Sequence, residues 1–525
     1  MRRSTSPLVT MSIRVQVWRS FYQDSMVLMR LAKDLQERPG VYRSAALMGT
    51  PANHQLLASA GLSHHDLAEA SPVDLMLAVE AETDAAAEAV LASAKEFFDR
   101  RRRERESTGR VLPRTLESAL RLRPDANLAL VSVPGAYATF EAMTALRRGL
   151  HVFLFSDNVA LDDEIALKRV AVSRGLLCMG PDCGTAYLNG VGLGFANVIP
   201  RGRVGCVAAS GTGLQAVACR LAALGEGISH GIGVGGRDLS EPVGGAMTKV
   251  ALGLLAADPA TRVIVLISKP PAPPVMAEVE ALIETIDKPV VVSCLGAAPR
   301  AGAPGHWAPT LEDAAARAAA LARGESWSPR PFTHPAAVRA GLARAAGGGA
   351  RGARVLGLFT GGTLAHEARL VLEPLLGSIA TDDGGHAGNV HRIVDLGADE
   401  LTQSRPHPMI DPAARSARIR EAGRAPEIGV LLVDLVLGRA AHPDPARPLA
   451  GAIRDACRAA ASAGRSLAVV ACVVGSEGDP QGLRAQTVAL EEAGVYVLPS
   501  SAQAARFAAL LIKPELGRTL LAGTG

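Results

Sequence analysis

Two short turns in the sequence combine the residue types that bind phosphate groups. The turn Ser210-Gly211-Thr212-Gly213 follows the apolar run 204–209 and leads into a helical pattern, and Gly361-Gly362-Thr363 repeats this arrangement about 150 residues later. Backbone N–H groups at a helix N-terminus lie at the positive end of the helix dipole and bind anions, and hydroxyl groups add donors. A helix cap without a ligand uses the same residues. The repetition favours binding, because two such helix ends facing one another could hold one phosphate group.

Charged residues follow two further apolar runs. Gly235 and Gly236 precede Arg237, whose guanidinium could bind a carboxylate or a phosphate through two parallel hydrogen bonds. An Arg237–Asp238 pair facing solvent is an equally good interpretation. Lys269 follows the apolar run 262–267, at the carboxyl edge where open α/β sheets bind ligands, although a surface lysine gives the same pattern.

The segment 404–412 places a cation, an imidazole and a carboxylate, Arg405, His407 and Asp411, among three prolines. Such a stiff loop suits ligand binding, and it suits a plain connection equally well. His386 and His391 lie near two aspartates at 382 and 383, but no metal-ligand spacing is met. The sequence therefore predicts no metal site.

Composition excludes several functional classes. The 55 basic and 51 acidic residues leave a net charge of +4, so no nucleic-acid partner is expected. No apolar run is long enough to span a membrane, and the N-terminus does not read as a signal peptide. The seven cysteines form no C-x-x-C pair, which favours reduced thiols and a cytoplasmic location. Few aromatic residues, 3 %, argue against a stacked purine as the main ligand.

Apolar runs of five to eight residues alternate with helical patterns, which is typical of parallel α/β folds. The sequence predicts three Rossmann-like or flavodoxin-like doubly wound domains. The first is a Rossmann-like domain over 12–190 with a basic insertion at 100–123, and only the family resemblance implies that it is CoA-binding-like. The second covers 195–300, and the third covers 351–515 after an Ala/Arg/Gly/Pro linker at 301–350. The second and third share an order of strands and glycine turns, which indicates a diverged duplication.

The residues also resemble a known enzyme family. The segment Met179–Gly184, the strand into Ser210–Thr212, and the segments 232–236 and 287–291 resemble the α-subunit of succinyl-CoA synthetase over roughly residues 40–296. The third domain resembles the C-terminal domain of that enzyme's β-subunit. The whole chain is most similar to the FdrA family, through the segments 21–25, 48–53, 155–159 and 405–412.

Several departures from the synthetase pattern bear on function. The resemblance would place a phosphohistidine in a Gly-His-Ala-Gly context near His306, where this chain reads Gly-His-Trp-Ala. A Gly-His-Ala-Gly tetrapeptide occurs at 385–388, in the third domain. The glutamate that supports the phosphohistidine corresponds to Lys269. The CoA-binding loop is reduced to 48–53, and the ATP-grasp half is missing.

The FdrA resemblance implies one component of an oxamate carbamoyltransferase of allantoin breakdown, which interconverts oxalurate plus phosphate with oxamate plus carbamoyl phosphate. Phosphate or carbamoyl phosphate would bind at the two helix ends, without a bound cofactor. Lys269 and Arg237 would hold the acid substrate and His407 would carry a proton. Gly235, Gly236, Arg405 and Asn158 would contact the substrate, and other subunits would be partners. One alternative is an ADP-forming acyl-CoA synthetase, which would use CoA; another is a non-catalytic, anion-binding regulatory subunit.

Overall fold

The computed structural model describes residues 12–23, 25–106, 113–347, 352–381, 390–402 and 407–521. The chain forms two compact units. The N-terminal unit covers the described residues up to Asp125, together with Thr402. The core unit begins at Ala126 and contains the rest.

The N-terminal unit is built on a three-stranded antiparallel sheet with the order β1-β3-β2. Every residue of β3 is buried, because helices α1 and α3 cover one face of the sheet and α2 with its following loop covers the other. Its elements are β1 (Ser12–Trp18), α1 (Ser25–Gln36), β2 (Val41–Met48), α2 (Pro51–Ser59), a 3-10 turn at His65–Leu67, β3 (Leu75–Ala81), α3 (Asp84–Glu106) and α4 (Leu116–Leu122).

This unit differs from the predicted Rossmann domain over 12–190. Its sheet is antiparallel and the unit ends at Asp125, so the predicted domain is divided between two units. A strand that is buried on both faces has the same apolar composition in either kind of sheet, which explains the error. The predicted basic insertion at 100–123 is also wrong in part, because its first residues, 100–106, continue helix α3 and residues 116–122 form α4.

The core unit opens with a small parallel sheet in the order β4-β5-β6. Two helices alternate with its strands, as the predicted α/β pattern requires. Its elements are β4 (Leu128–Val131), α5 (Gly135–Arg147), β5 (His151–Leu154), α6 (Leu161–Ser173) and β6 (Cys178–Met179).

A second sheet has the order β13-β12-β11-β9-β10-β7-β8, with parallel pairing from β13 to β10 and an antiparallel hairpin at one edge. Its elements are β7 (Thr185–Leu188), β8 (Val191–Gly194), β9 (Arg201–Ala208), α7 (Gly211–Ala223), β10 (Ile228–Gly233), α8 (Ala246–Ala257), β11 (Val263–Ser268), α9 (Pro273–Glu284), β12 (Val290–Cys294) and β13 (His306–Trp307).

The segment predicted as a linker contains two helices, α10 (Leu311–Arg323) and α11 (Pro335–Ala346). Helix α10 is not on the surface: its alanines at 314, 315, 318, 319 and 322 are buried in the large core cluster of this unit. Alanines on one face allow close helix packing, so the Ala-rich composition marks a core helix here and the linker interpretation is wrong for this part.

A third sheet, entirely parallel, has the order β15-β16-β14-β17-β18-β19. Its elements are β14 (Arg354–Phe359), α12 (Gly362–Leu376), β15 (Ile379–Ala380), β16 (His391–Asp395), α13 (Asp399–Thr402), α14 (Ala413–Arg424), β17 (Ile428–Val436), α15 (Ala446–Ser462), β18 (Ala468–Val474), α16 (Leu483–Glu491), β19 (Tyr496–Leu498), α17 (Ser501–Ile512), a 3-10 turn at Pro514–Leu516 and α18 (Gly517–Leu520).

The second and third sheets share one strand order. The order β12-β11-β9-β10 in the second sheet matches β18-β17-β14-β16 in the third, and both β9 and β14 lead directly into the helix that follows a glycine turn. This is the arrangement that the internal repeat predicts. The predicted α/β class with parallel sheets is confirmed.

A buried polar seam joins the two large sheets. The Nδ2 of Asn197 donates to Asp479 Oδ2 at 2.7 Å and to the carbonyl of Leu437 at 3.0 Å. The backbone N–H of Val198 donates to Asp479 Oδ1 at 2.7 Å. One apolar cluster also runs through both sheets, so helices α7 and α12 are held in a fixed relation.

No helix among the described residues combines the length and apolarity needed to cross a membrane. All seven cysteines are described and all are unpaired, in agreement with the reduced thiols that the sequence predicts.

Candidate functional site

The N-terminus of α7 lies where β9 ends. Ser210 caps this helix, and its Oγ accepts a hydrogen bond from the N–H of Gly213 at 2.9 Å. A Cβ at position 213 would lie 2.6 Å from that oxygen, so the cap requires glycine there. The sequence motif thus acts first as a helix cap.

The N-terminus of α12 faces the N-terminus of α7. The Oγ of Ser210 and the Oγ1 of Thr363 are 2.6 Å apart and share a hydrogen bond. A Cβ on Gly361 would lie 3.0 Å from Cγ2 of Thr212, so the two turns are in direct contact. The structure therefore brings together the two turns that the sequence pairs.

Several backbone donors at this junction have no partner. No hydrogen bond within the described part of the chain uses the N–H groups of Gly211, Thr212, Gly362 or Thr363. Each group lies in the first turn of its helix, where the intrahelical pattern leaves N–H groups unpaired. Two helix dipoles point their positive ends at the same place, so the junction suits an anion.

Asp434, at the end of β17, holds the α12 turn in place. Its carboxylate accepts hydrogen bonds from the N–H of Thr360 at 2.9 Å and from that of Gly361 at 2.8 Å. Arg415 lies 3.2 Å from the same carboxylate, and both side chains are buried. The N–H of Gly361 is therefore occupied and not available to a ligand, which corrects the prediction for this residue.

A second carboxylate lies at the α12 end. A Cβ on Gly362 would lie 2.4 Å from Oδ2 of Asp395, which means that this side chain contacts the helix turn. Asp395 also accepts the N–H of Gly397 at 2.9 Å. The sequence reasoning missed Asp395 and Asp434. Each aspartate lies near the end of an apolar strand that pairs with β14, the strand that leads to Gly361. An aspartate in that position of the sequence could have identified them.

Lys269 lies at the carboxyl end of β11, as predicted, and is exposed. His366 of α12 lies within electrostatic range of Lys269, and its Nε2 is 3.3 Å from the carbonyl oxygen of Leu295. Burial lowers the pKa of His366, and the positive charges of Arg369 and Lys269 lower it further. His366 is therefore a neutral imidazole at pH 7, and the sequence did not single it out.

His407 is half-buried beside the junction loops. Its Nδ1 accepts the N–H of Met409 at 3.2 Å, and its ring lies 5.8 Å from that of Phe195. A Cβ on Gly397 would lie 2.6 Å from its Nε2. Burial lowers the pKa of His407 to about 4, so the ring is neutral at pH 7 and carries its proton on Nε2.

Arg237 is held in place by two contacts within the chain. Its Nε donates to Glu164 Oε2 at 2.8 Å, and its Nη2 donates to the carbonyl of Val159 at 2.8 Å. Glu164 in turn pairs with the buried Lys168, which also pairs with Asp238. Arg237 therefore belongs to an ion network between α6 and the turn after β10. Its side chain is still 47 % exposed, so a contact with the substrate stays a prediction.

The predicted substrate contacts are dispersed. Gly235 has a φ of +89°, and a Cβ there would lie 2.7 Å from the carbonyl oxygen of Pro181, so it serves close packing. Gly236 has open space around it. Asn158 is exposed, has a φ of +52°, and its carbonyl lies against Gly135 at the start of α5. Arg405 lies outside the described residues.

His306 and His391, two of the histidines considered above, have structural roles. His306 lies on edge strand β13, with its Nδ1 3.2 Å from Nη2 of Arg317. His391 accepts the N–H of Val355 at 3.1 Å, and burial lowers its pKa to about 4. His386 and its two neighbouring aspartates lie outside the described residues.

Glu367, one turn into α12, is fully buried, and burial raises its pKa to about 7. At pH values between 4.5, the ordinary pKa of a glutamate, and about 7, Glu367 keeps its proton in the folded chain and releases it in the unfolded chain. The contribution of this group to the free energy of unfolding should therefore fall by roughly 3 kcal/mol as the pH rises through this window, and should stay constant above it.

The substitution Glu367→Gln should remove this fall in the free energy of unfolding. Urea unfolding at pH 5 and pH 8 measures it; an equal loss in both proteins would contradict the assignment.

The family comparisons match two parts of the chain. Residues 11–112 match the AllF heavy metal-associated domain, and residues 358–511 match the CoA-ligase family. The first match agrees with the limits of the N-terminal unit. The succinyl-CoA synthetase resemblance placed the reduced CoA loop at 48–53 in a domain with a parallel sheet. In the structure this loop belongs to the N-terminal unit, whose sheet is antiparallel.

The residues of this N-terminal unit do not support a soft-metal site. All seven cysteines lie at or after Cys178, so the unit offers no thiolate. Within the described residues, one metal-compatible cluster is present, His64 with His65 and Asp66, and its carboxylate oxygens already lie 3.3 and 2.9 Å from the two imidazoles. No step is assigned to a metal.

Individual relatives extend these matches. The α-subunit of malate–CoA ligase from Methylorubrum extorquens is 29 % identical over 42 % of this chain and 78 % of its own length. The α-2 subunit of ADP-forming succinate–CoA ligase from Trichomonas vaginalis is 30 % identical over 28 % of this chain and 48 % of its own. Apo acetyl-CoA synthetase 1 from Ca. Korarchaeum cryptofilum aligns over 76 % of this chain and 85 % of its own, at 17 % identity and a TM-score of 0.32.

A relative of nearly equal length shows the family. The uncharacterized protein YahF of Escherichia coli K12 is 38 % identical over 94 % of this chain and 97 % of its own length. The chain therefore belongs to the family of YahF, with an AllF-type N-terminal domain and a CoA-ligase domain.

Proposed function

We propose that this chain is the ligase-type subunit of an enzyme that forms or uses an acyl phosphate, and that the facing ends of α7 and α12 bind its phosphoryl group. The observation that carries this proposal is the 2.6 Å contact between Ser210 and Thr363, which points two helix N-termini at one place. The unpaired N–H groups there can surround phosphoryl oxygens, and such preset donors stabilise developing charge without reorganising.

The succinate–CoA and malate–CoA ligase relatives support a small carboxylic acid as the substrate and CoA as the acceptor. In such a reaction a carboxylate oxygen attacks the γ-phosphorus of ATP and ADP leaves, which gives an acyl phosphate. The thiolate of CoA then attacks the acyl carbon, the acyl–oxygen bond breaks, and phosphate leaves. Lys269 is exposed at the carboxyl end of β11 and can pair with the carboxylate of the acid. Partner subunits would supply the nucleotide-dependent phosphorylation.

A second candidate is the carbamoyl transfer expected of an FdrA-type protein. Phosphate would attack the carbamoyl carbon of oxalurate, the C–N bond would break, and the nitrogen of oxamate would leave with the proton that phosphate loses. Asp395 favours this candidate, because a carboxylate beside the phosphate site can accept that proton and pass it to the leaving nitrogen. The position of His306 on an edge strand, held against Arg317, also suits a reaction without a phosphohistidine.

One assay of the full chain with its co-purifying partner proteins separates these candidates. With ATP labelled on its γ-phosphate, a small dicarboxylic acid and CoA, the ligase reaction yields ADP and a thioester. With oxalurate and phosphate, the second reaction yields carbamoyl phosphate. We expect one of the two products, and a strong loss of it in Ser210→Ala. Neither product, with phosphate binding intact, would overturn both candidates in favour of a non-catalytic anion-binding subunit.

A further inference from the structure

A cavity is lined in part by α7 and α12, the two helices that form the junction. It has a volume of about 580 Å³ and is open to solvent on one side. Its walls come from α7, α10, α12 and α16 and from the ends of β18 and β19. The carboxyl ends of parallel strands are the usual place for ligands in such sheets.

Most of this wall is apolar. Aliphatic side chains line it from every side, among them Ala216, Leu311, Leu364, Val474, Leu483 and Val497. A volume of this size, between two packed sheets and largely apolar, has the properties of small-molecule sites. The body of an occupant should therefore be apolar.

One cation in the wall has unused hydrogen-bonding capacity. Arg220 of α7 pairs through Nη2 with Glu312 Oε1 at 3.1 Å, and its Nε is buried with no partner among the described residues. A guanidinium carries five N–H donors, and the Glu312 contact uses one edge of it. Because this Nε has almost no accessible surface, an acceptor supplied by a ligand would meet the terminal N–H groups of the guanidinium, whose side chain is 16 % exposed.

The carboxylates of the wall do not need a cationic ligand. Glu312 accepts hydrogen bonds from Ser500 at 2.7 Å and from Gln503, besides the pair with Arg220. Glu367 accepts the N–H of Leu311 at 2.7 Å. The remaining two, Glu477 and Glu491, are exposed at the mouth together with Arg484, where solvent screens them.

We propose that this cavity binds a short-chain monocarboxylate, with its carboxylate at the terminal N–H groups of Arg220 and its aliphatic chain along the walls of α12, α16 and β19. The site is separate from the helix junction and does not depend on the proposed reaction. Its occupant would contact α7 and α12 together, which are the two helices that form the junction.

Calorimetric titration of the full chain with hexanoate tests the proposal, with hexan-1-ol as the neutral probe of equal chain length. We expect hexanoate to bind at one site and hexan-1-ol to bind at least tenfold more weakly. Arg220→Gln should weaken hexanoate at least tenfold. Val488→Trp, at an exposed position of α16 that lines the mouth, should block both probes without disturbing the core.

The matched control is Ala485→Trp, on the same helix but outside the cavity wall, which should leave hexanoate binding unchanged. Two results would overturn the proposal: hexanoate that binds equally well to Val488→Trp, which would put the ligand elsewhere, or hexan-1-ol that binds as tightly as hexanoate, which would leave Arg220 without a role. Absence of hexanoate binding to the unaltered chain would also overturn it.

Discussion

Replacing Ser210 by alanine and Thr363 by valine in one protein should weaken phosphate binding by roughly ten- to a hundredfold. Both hydroxyl groups lie at the junction of α7 and α12, 2.6 Å from one another, and each can turn toward a bound anion. A hydrogen bond to a charged group contributes about 1.5–3 kcal/mol, which corresponds to this range of affinity. The measurement is the rise of the thermal midpoint of the full chain with increasing phosphate.

A matched control separates this effect from the loss of a helix cap. Ser500 caps α17 as Ser210 caps α7, and its Oγ accepts the N–H of Gln503 at 3.2 Å. Removing either cap should cost about 1 kcal/mol of stability. Ser500→Ala should therefore lower the thermal midpoint similarly and keep the full response to phosphate. Equal responses in the double variant and in Ser500→Ala would argue against the junction as the binding site.

Lys168→Met should destabilise the core unit by roughly 3–5 kcal/mol. The Nζ of Lys168 lies 2.7 Å from Glu164 and 2.8 Å from Asp238, and all three side chains are almost fully buried. Removing the cation leaves two carboxylates buried, although Arg237 still pairs with Glu164. Asp238 also caps α8 through the N–H groups of Met247 and Thr248, so the turn after β10 should loosen too. Urea unfolding measures the loss.

An exposed lysine pair gives the comparison for this substitution. Lys249 lies 2.7 Å from Glu278, but both side chains are solvent-exposed. Exposed pairs contribute about 1 kcal/mol or less, so Lys249→Met should change stability little. If the two methionine variants were equally stable, the buried network would not be the structural element described above.

The sequence predicted the helix junction because its signal is local. A strand, a Gly-rich turn with a hydroxyl residue and a helix are read within about ten residues, and the repeat showed that the device occurs twice. Which residues meet across the two sheets is set by tertiary packing. Asp395 could not be placed at the junction from its own neighbourhood, because nothing local sets its distance from Ser210.

The errors have a common physical origin. Arg237 has the residue type of an anion clamp, but its Nε donates to Glu164, which lies 73 residues earlier in the chain, so no local pattern predicts this contact. Strand β3 is apolar throughout, and composition alone does not encode whether its neighbours run parallel or antiparallel. Helix α10 resembles a linker in composition, yet its alanine face packs into the largest core cluster.

A crystal structure of the full chain with tungstate, a heavy analogue of phosphate, tests the central claim most directly. The anomalous signal locates the anion independently of any assumed chemistry. We expect one strong peak at the junction, with tungstate oxygens about 3 Å from the N–H groups of Gly211, Thr212, Gly362 and Thr363. A junction without a peak, at a concentration that saturates binding in solution, would contradict the claim that these two helix ends form the phosphate site.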